Sequence, residues 1–327
     1  EYPHQLSGGM RQRALIAMAL AHRGELVQAT AANQVTSLEI AAQSKIRGPT
    51  GRTFAQGADI AILNNTIRKN ISGRGGGIAI DGGIITIRGN TVQENSGGGP
   101  TNGDHGGGVY VFSPHAEISH NLIIGNEIGR EENYGWGGGI LVYGQGSFAR
   151  LSFNTITENY APSIGSGVFI DEGAIAILDH ELIYNNQCPD GGTTGGVGLY
   201  VDGNINTKIG SHVTVLHTTI TSHNCPTQGG NGLYVEAYSG VTVTNSIFWG
   251  NSNSNSDEAD DIFVDETSQI TFTYTIAEKA ITGEGNLSVD PLFANPAQHD
   301  YHLQSTAGRW DPTANDGDGG FVIDANH

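Results

Sequence analysis

The stretch GGGILVY, Gly137 to Tyr143, decides how the chain is read, because the same phrase returns along most of its length. Around it stand GGGIAID (75–81), GGGVYVF (106–112), GSGVFID (165–171), GVGLYVD (196–202), GNGLYVE (230–236) and DDIFVDE (260–266). A second phrase lies between these, with the pattern apolar, two residues, Asn, any residue, apolar, two residues, Asn. Its instances are ILNNTIRKN from Ile62, IRGNTVQEN from Ile87, ISHNLIIGN from Ile118 and LSFNTITEN from Leu151, with a looser LDHELIYNN from Leu178. Self-similarity at a period of about thirty residues is the signature of a solenoid.

Each glycine-led phrase alternates apolar and polar positions, as a strand with one buried face does. One such strand cannot bury its face alone, so the units must stack. Stacking places Ile78, Val109, Ile140, Val168, Leu199, Leu233 and Ile262 in one interior column, and Ile80, Val111, Val142, Ile170, Val201, Val235 and Val264 in another. The pattern predicts an all-β fold, a right-handed parallel β-helix of about seven to eight turns. Asn70, Asn95, Asn126, Asn159, Asn186, Asn224 and Asn251 suit a sharp corner, since Asn tolerates the left-handed region and its amide can bond the Asn of the next turn. The glycines suit the next corner, where a positive φ or a close backbone approach excludes a Cβ.

On these repeats the chain, from about Ala58 to Phe293, resembles the pectate-lyase-like right-handed β-helix superfamily. The later segments NSIFWGNS and DPLFANPAQHDYHLQS are similar to the C-terminal part of large secreted bacterial β-helix proteins, often anchored at the cell surface. That resemblance implies an extracellular or cell-surface protein that works on polysaccharide or is displayed, and it names no reaction, because the superfamily hosts hydrolases, lyases, esterases and binding proteins.

The first residues carry a different likeness. EYPHQLSGGMRQRALIAMALA resembles the signature loop and following helix of ABC transporter ATPases, with Leu6, Ser7, Gly8, Gly9, Met10 and Arg11 on the motif. Such an ATPase also needs a phosphate loop ending in Gly-Lys-Ser/Thr and an apolar strand ending in Asp-Glu. Neither is present, so the chain is not expected to be an ATPase. Residues 1–55 are expected to form a fragment with a helical cap, roughly Met10 to Leu20; residues 56–293 the β-helix; and residues 294–327 an irregular tail.

Bulk properties agree with export. The 327 residues include 49 glycines and carry a formal charge of −18, with 15 Lys plus Arg. Such a field repels nucleic acid and anionic membranes. No apolar run is long enough to span a bilayer. With no signal-peptide pattern at its start, the chain is expected to have shed any export signal. Cys188 and Cys225, each followed by proline and then by a glycine pair, occupy nearly equivalent places on neighbouring turns. Stacked positions lie about 4.8 Å apart, inside the roughly 4.4–6.8 Å Cα range of a disulfide, so these two cysteines are expected to pair.

Two columns point outward from the glycine-led strands. The first, Ala79, Tyr110, Leu141, Phe169, Tyr200, Tyr234 and Phe263, is mostly aromatic; the second, Asp81, Phe112, Tyr143, Asp171, Asp202, Glu236 and Asp265, is mostly acidic. Rings beside carboxylates suit a sugar chain, whose CH-rich faces stack while its hydroxyls bond to acids. Tyr110, Tyr143, Phe169, Tyr200 and Tyr234 are therefore the expected substrate-binding residues on an exposed strip. Glycoside hydrolysis needs two carboxyl groups, and Asp171, Asp202 and Glu236 on successive turns supply them. A like-charged column raises the pKa of its middle member, so Asp202 is the expected general acid, with Asp171 or Glu236 as base or nucleophile. The same residues would serve solubility on a display protein. No cofactor is required for hydrolysis; calcium on the carboxylates would suit a lyase acting on a uronate polymer. Lyases of the superfamily abstract a proton with Arg or Lys, and Arg150 and Lys208 are the nearest by turn. Asp179-His180 faintly resembles a calcium-ligand strand of pectate lyases. The polygalacturonase motifs are missing. His120, His180 and His217 recur at one repeat position, but Phe153 interrupts them, and they are expected to be solvated surface residues, leaving the metal ligands undefined.

Overall fold

The computed structural model describes residues 27–29, 34–35, 38–41, 59–72, 74–97, 105–128, 135–187, 195–225, 229–252, 261–305, 309–311 and 320–322. The segment resembling an ATPase signature and the expected helical cap lie outside them. Two units are distinguished, Glu1–Leu287 and Ser288–His327.

The first unit is a right-handed parallel solenoid. One turn shows the construction. The strand Phe148–Ser152 is followed by a corner, the strand Thr155–Thr157 by a second corner, and the strand Val168–Asp171 by a tight return to Ile175–Asp179 one rung on. Among the described residues, repetition builds a first sheet of nine strands, from Val27–Ala29 to Gln269–Thr273, and a second of nine, from Gln34–Val35 to Ile276–Ala277. The third, glycine-led sheet has eight strands among the described residues, from Leu38–Ala41 to Ile262–Val264. Every pairing between rungs is parallel and in register along the two interior columns, as Ile140 with Val168 and Val142 with Ile170 show. From Ile78 and Ile80 to Leu233 and Val235 these columns are fully buried. Val264, on the last rung, is 37% exposed, because no further rung covers it in this sheet.

The strands at Val27–Ala41 pair in parallel with Ile60–Ile62, Thr66–Ile67 and Ile78–Asp81. The stack therefore begins well before residue 56, a rung that the glycine phrase does not mark.

The corners correct one expectation and bear out another. The left-handed residue is the one before each inward ladder residue: His120, Phe153, His180 and His217, before Asn121, Asn154, Glu181 and Thr218, at the first corner, and Glu94, Glu158 and Asn185, before Asn95, Asn159 and Asn186, at the second. The Asn itself points inward and builds a hydrogen-bonded ladder. The Asn159 Nδ2 donates to Asn186 Oδ1 at 3.0 Å and to the Ile123 carbonyl at 3.0 Å, while its Oδ1 accepts from the backbone and side chain of Asn126 at 3.0 and 2.9 Å. One ladder runs through Asn70, Asn95, Asn126, Asn159 and Asn186, and a second through Asn65, Asn90, Asn121 and Asn154. Buried amides need all their partners, and a ladder supplies them one rung at a time.

Both ladders pass through titratable groups. Glu181 replaces Asn in one, its Oε1 accepting from Asn154 Nδ2 at 3.0 Å, and burial pushes its carboxyl well above the usual range. In the other the column passes from Asn186 to His223, not to Asn224, because the sixth turn is offset by one residue. His223 Nε2 lies 3.2 Å from Asn186 Nδ2, and its Nδ1 lies 2.8 Å from Asn251 Oδ1. The ladder's polarity assigns the proton to Nδ1, so one imidazole accepts and donates as an amide would. Burial pushes its pKa down to about 4.

The second unit is not irregular throughout. Phe293–Asn295 pairs antiparallel with Asp300–Leu303, and Arg309–Asp311 with Gly320–Val322. Phe293 and Tyr301 are buried edge to face at 5.2 Å.

Candidate active site on the glycine-led sheet

The outward columns form in the expected register. Tyr110 pairs with Leu141, Leu141 with Phe169, Phe169 with Tyr200 and Tyr200 with Tyr234. Asp171, Asp202 and Glu236 follow directly after the paired residues Ile170, Val201 and Val235, and so stand on consecutive rungs.

The rings are not an exposed strip. Of the five rings expected to bind substrate, Tyr110, Phe169 and Tyr200 are buried with Leu141 in a second apolar cluster, and Tyr143 and Tyr234 are partly open. The cause is the residue before each glycine phrase. Arg74, His105, Trp136 and Ile164 form their own ladder of parallel bridges, and Trp136 and Ile164 pack on the ring cluster. The first glycine lets the chain pass there. Gly165 has φ +66, and a Cβ on it would lie 2.6 Å from the Phe169 Cβ, so the ring four residues on fills the room a side chain needs. Sequence reasoning assigned these glycines to a corner and overlooked what they bring across the outer face. The signal was present, as RGGG, HGGG and WGGG.

The remaining rings stack along the column. Tyr200 lies 4.8 Å from Tyr234, and Tyr234 lies 4.4 Å from Phe263. Tyr200 also donates its hydroxyl hydrogen to Glu236 Oε1. Burial first, then the Glu236 charge, pushes the Tyr200 hydroxyl well up, so it stays a donor.

The acids sit in unequal surroundings. Asp171 is only 5% exposed, and burial, then the charges of Asp202 and Glu172, push it up to about 8. Asp202 is half-buried and reaches about 7, through burial and then Glu236, while its Oδ1 accepts from the Gly203 N–H at 2.7 Å. The middle position does not give the largest shift, because desolvation outweighs the number of charged neighbours. Glu172, not singled out from sequence, belongs to the same group. It occupies the left-handed turn after Asp171, and its Oε2 accepts from Asn204 Nδ2 at 2.6 Å. The DE pair in GSGVFIDEG was its only trace.

Residues 138–285 match a family model described as a right-handed beta helix region. The fold is a right-handed parallel β-helix. The matched span holds Asp171, Asp202 and Glu236, and it agrees with the resemblance to the pectate-lyase-like superfamily. Proteins with this β-helix are often polysaccharide-acting enzymes or adhesion proteins. No curated protein and no solved structure shows a significant match to the chain.

The basic residues considered for a lyase are engaged elsewhere on the β-helix. Arg150 pairs with Asp179 at 3.0 Å, and Lys208 lies over the Tyr238 ring at 5.8 Å. At the corner between the first and second sheets, Phe153 does not interrupt the histidines but joins them. His120, Phe153, His180 and His217 stack at 5.1, 4.7 and 4.6 Å. Cys225 is buried and is not a free thiol; Cys188 lies outside the described residues. Among the described residues no helix is long and apolar enough to cross a membrane.

Proposed function

We propose that this β-helix is a secreted, polysaccharide-acting glycoside hydrolase in which Asp202 is the general acid and Glu236 the nucleophile or base. The observation that carries the reading is the pairing of a half-buried acid raised to about 7 with a second carboxylate on the next rung, held by the Tyr200 hydroxyl. Successive rungs lie about 4.8 Å apart, close to the roughly 5–5.5 Å between carboxyl groups that retention requires. In that scheme Asp202 gives its proton to the leaving glycosidic oxygen while Glu236 attacks the anomeric carbon. Water, deprotonated by Asp202, then releases the glycosyl-enzyme. Asp171 is too buried to reach a sugar ring, and the neighbouring charges that help keep the proton on Asp202 are those of Glu236, Glu172 and Asp265. Tyr143 and Tyr234, the partly open rings, would stack against sugar.

A noncatalytic surface or adhesion protein is the second reading, and the burial of Tyr110, Phe169 and Tyr200 favours it, because a ring covered by its own chain cannot hold a ligand. A calcium-dependent lyase is third, with the described Arg150 and Lys208 committed elsewhere. A screen of plant, algal and bacterial polysaccharides separates them. New reducing ends without new ultraviolet absorbance, lost in Asp202→Asn, are the expected result. An absorbing product abolished by chelator would make the protein a lyase, and neither signal on any polymer would leave display.

A further inference from the structure

We propose that Asp179, His180 and His217 form a binding site for a divalent transition-metal ion of the zinc class. Both imidazole Nδ1 atoms converge on a single carboxylate oxygen, Asp179 Oδ1, at 2.8 Å from His180 and 3.2 Å from His217. The three ligand atoms lie within 4.8 Å of one another. Ligands of a tetrahedral zinc ion, at bond lengths of about 2.0–2.2 Å, stand roughly 3.4 Å apart, so the two short separations already suit a metal in place of the shared protons.

The chain holds the group in this arrangement through the repeat itself. Asp179 ends a strand and pairs with Leu216 on the next rung, which puts His217 beside His180. Both histidines take the left-handed corner conformation, with φ 60 and 49, and their rings stack at 4.6 Å. Phe153 stacks on the other face of His180 at 4.7 Å. Arg150 binds the far oxygen, Asp179 Oδ2, at 3.0 Å and fixes the carboxylate while leaving Oδ1 turned to the imidazoles. The His180 and His217 side chains are 46% and 44% exposed, so an ion can enter and complete its shell with water. Two imidazole nitrogens and one carboxylate oxygen select zinc, nickel or copper over calcium, which requires an all-oxygen set. Outer contacts exist as well, since Asn245 lies 3.3 Å from His217 Nε2 and can turn its amide to accept from the nitrogen that metal binding leaves protonated.

The full chain is titrated with Zn2+ by calorimetry, alongside His180→Ala, His217→Ala and, as control, His120→Ala, which lies in the same ring stack away from the carboxylate. One zinc ion per chain is expected, weakened about tenfold or more in the first two variants and within about twofold of the parent in the control. Thermal midpoints measured without zinc establish that each variant is folded. Absence of zinc uptake by the parent chain, or equal affinity in all four folded proteins, overturns the proposal. Because the readout is binding, the result is independent of whether any polysaccharide is hydrolysed.

Discussion

The Tyr200 hydroxyl donates to Glu236 Oε1 on the next rung, joining the buried ring column to the acidic column that faces solvent. Tyr200 is itself sealed between Phe169, edge-on at 5.3 Å, and Tyr234. An almost immobile donor thus orients a carboxylate that is partly exposed. In the proposed hydrolase, Tyr200→Phe removes that restraint and nothing else, so kcat should fall by about tenfold with KM little changed. Loss of one hydrogen bond to a charged group should also cost about 1.5–3 kcal/mol of stability. Unchanged kcat in a destabilised but folded variant would detach Tyr200 from the chemistry.

Activity should decline as pH rises through about 7, since Asp202 must keep its proton to protonate the leaving group. Asp202→Asn should lower kcat by on the order of a hundredfold or more. A pH-rate profile flat from 6 to about 8 would show that another group supplies the proton.

Stability should depend on pH with two opposing arms. Asp171, Asp202 and Asp261 are raised to about 8, 7 and 7, chiefly by burial, and Glu181 is raised as well. Each contributes stability that is complete below its ordinary value, near 4, and is lost as pH rises through the folded value. His223 acts the other way: lowered to about 4, it costs stability as pH falls from its ordinary value near 6.5 toward 4. Four groups outnumber one, so the thermal midpoint should rise by several degrees between pH 8 and about 6. His223→Asn, which keeps an accepting and donating side chain in the ladder, should flatten the arm below 6.5. An unaltered acid arm in that variant would place the loss elsewhere.

Asn159→Ala should be among the most damaging single changes. It deprives Asn126 of an acceptor for two donors, removes the side-chain donor to the Ile123 carbonyl, and leaves the Asn186 oxygen with only the backbone N–H of residue 159. At about 1–3 kcal/mol for each buried group left unpaired, a cost of 3 kcal/mol or more is expected. Chemical denaturation would measure it, and a loss below about 1 kcal/mol would mean that water replaces the ladder.

Cys188 and Cys225 should form a disulfide. Alkylation of the unfolded, unreduced chain should leave its mass unchanged, and reduction should then admit two alkyl groups. Two alkyl groups taken up before reduction would exclude the bond.

The repeat of apolar residues in GGGILVY and its relatives was enough to determine the solenoid, both interior columns and the order of the outward columns, because stacking in register turns sequence period directly into neighbourhood. Asp171, Asp202 and Glu236 were therefore legible as neighbours. What stood around them was not. Only the tertiary structure decided that Trp136 and Ile164 cross over the rings, that Asp171 outranks Asp202 in protonation, that His223 and not Asn224 continues the amide ladder, and that Asp179 gathers two histidines from successive corners. Those outcomes depend on desolvation and on a left-handed residue at each corner, and both are set by how rungs cover one another in space, which no linear period records.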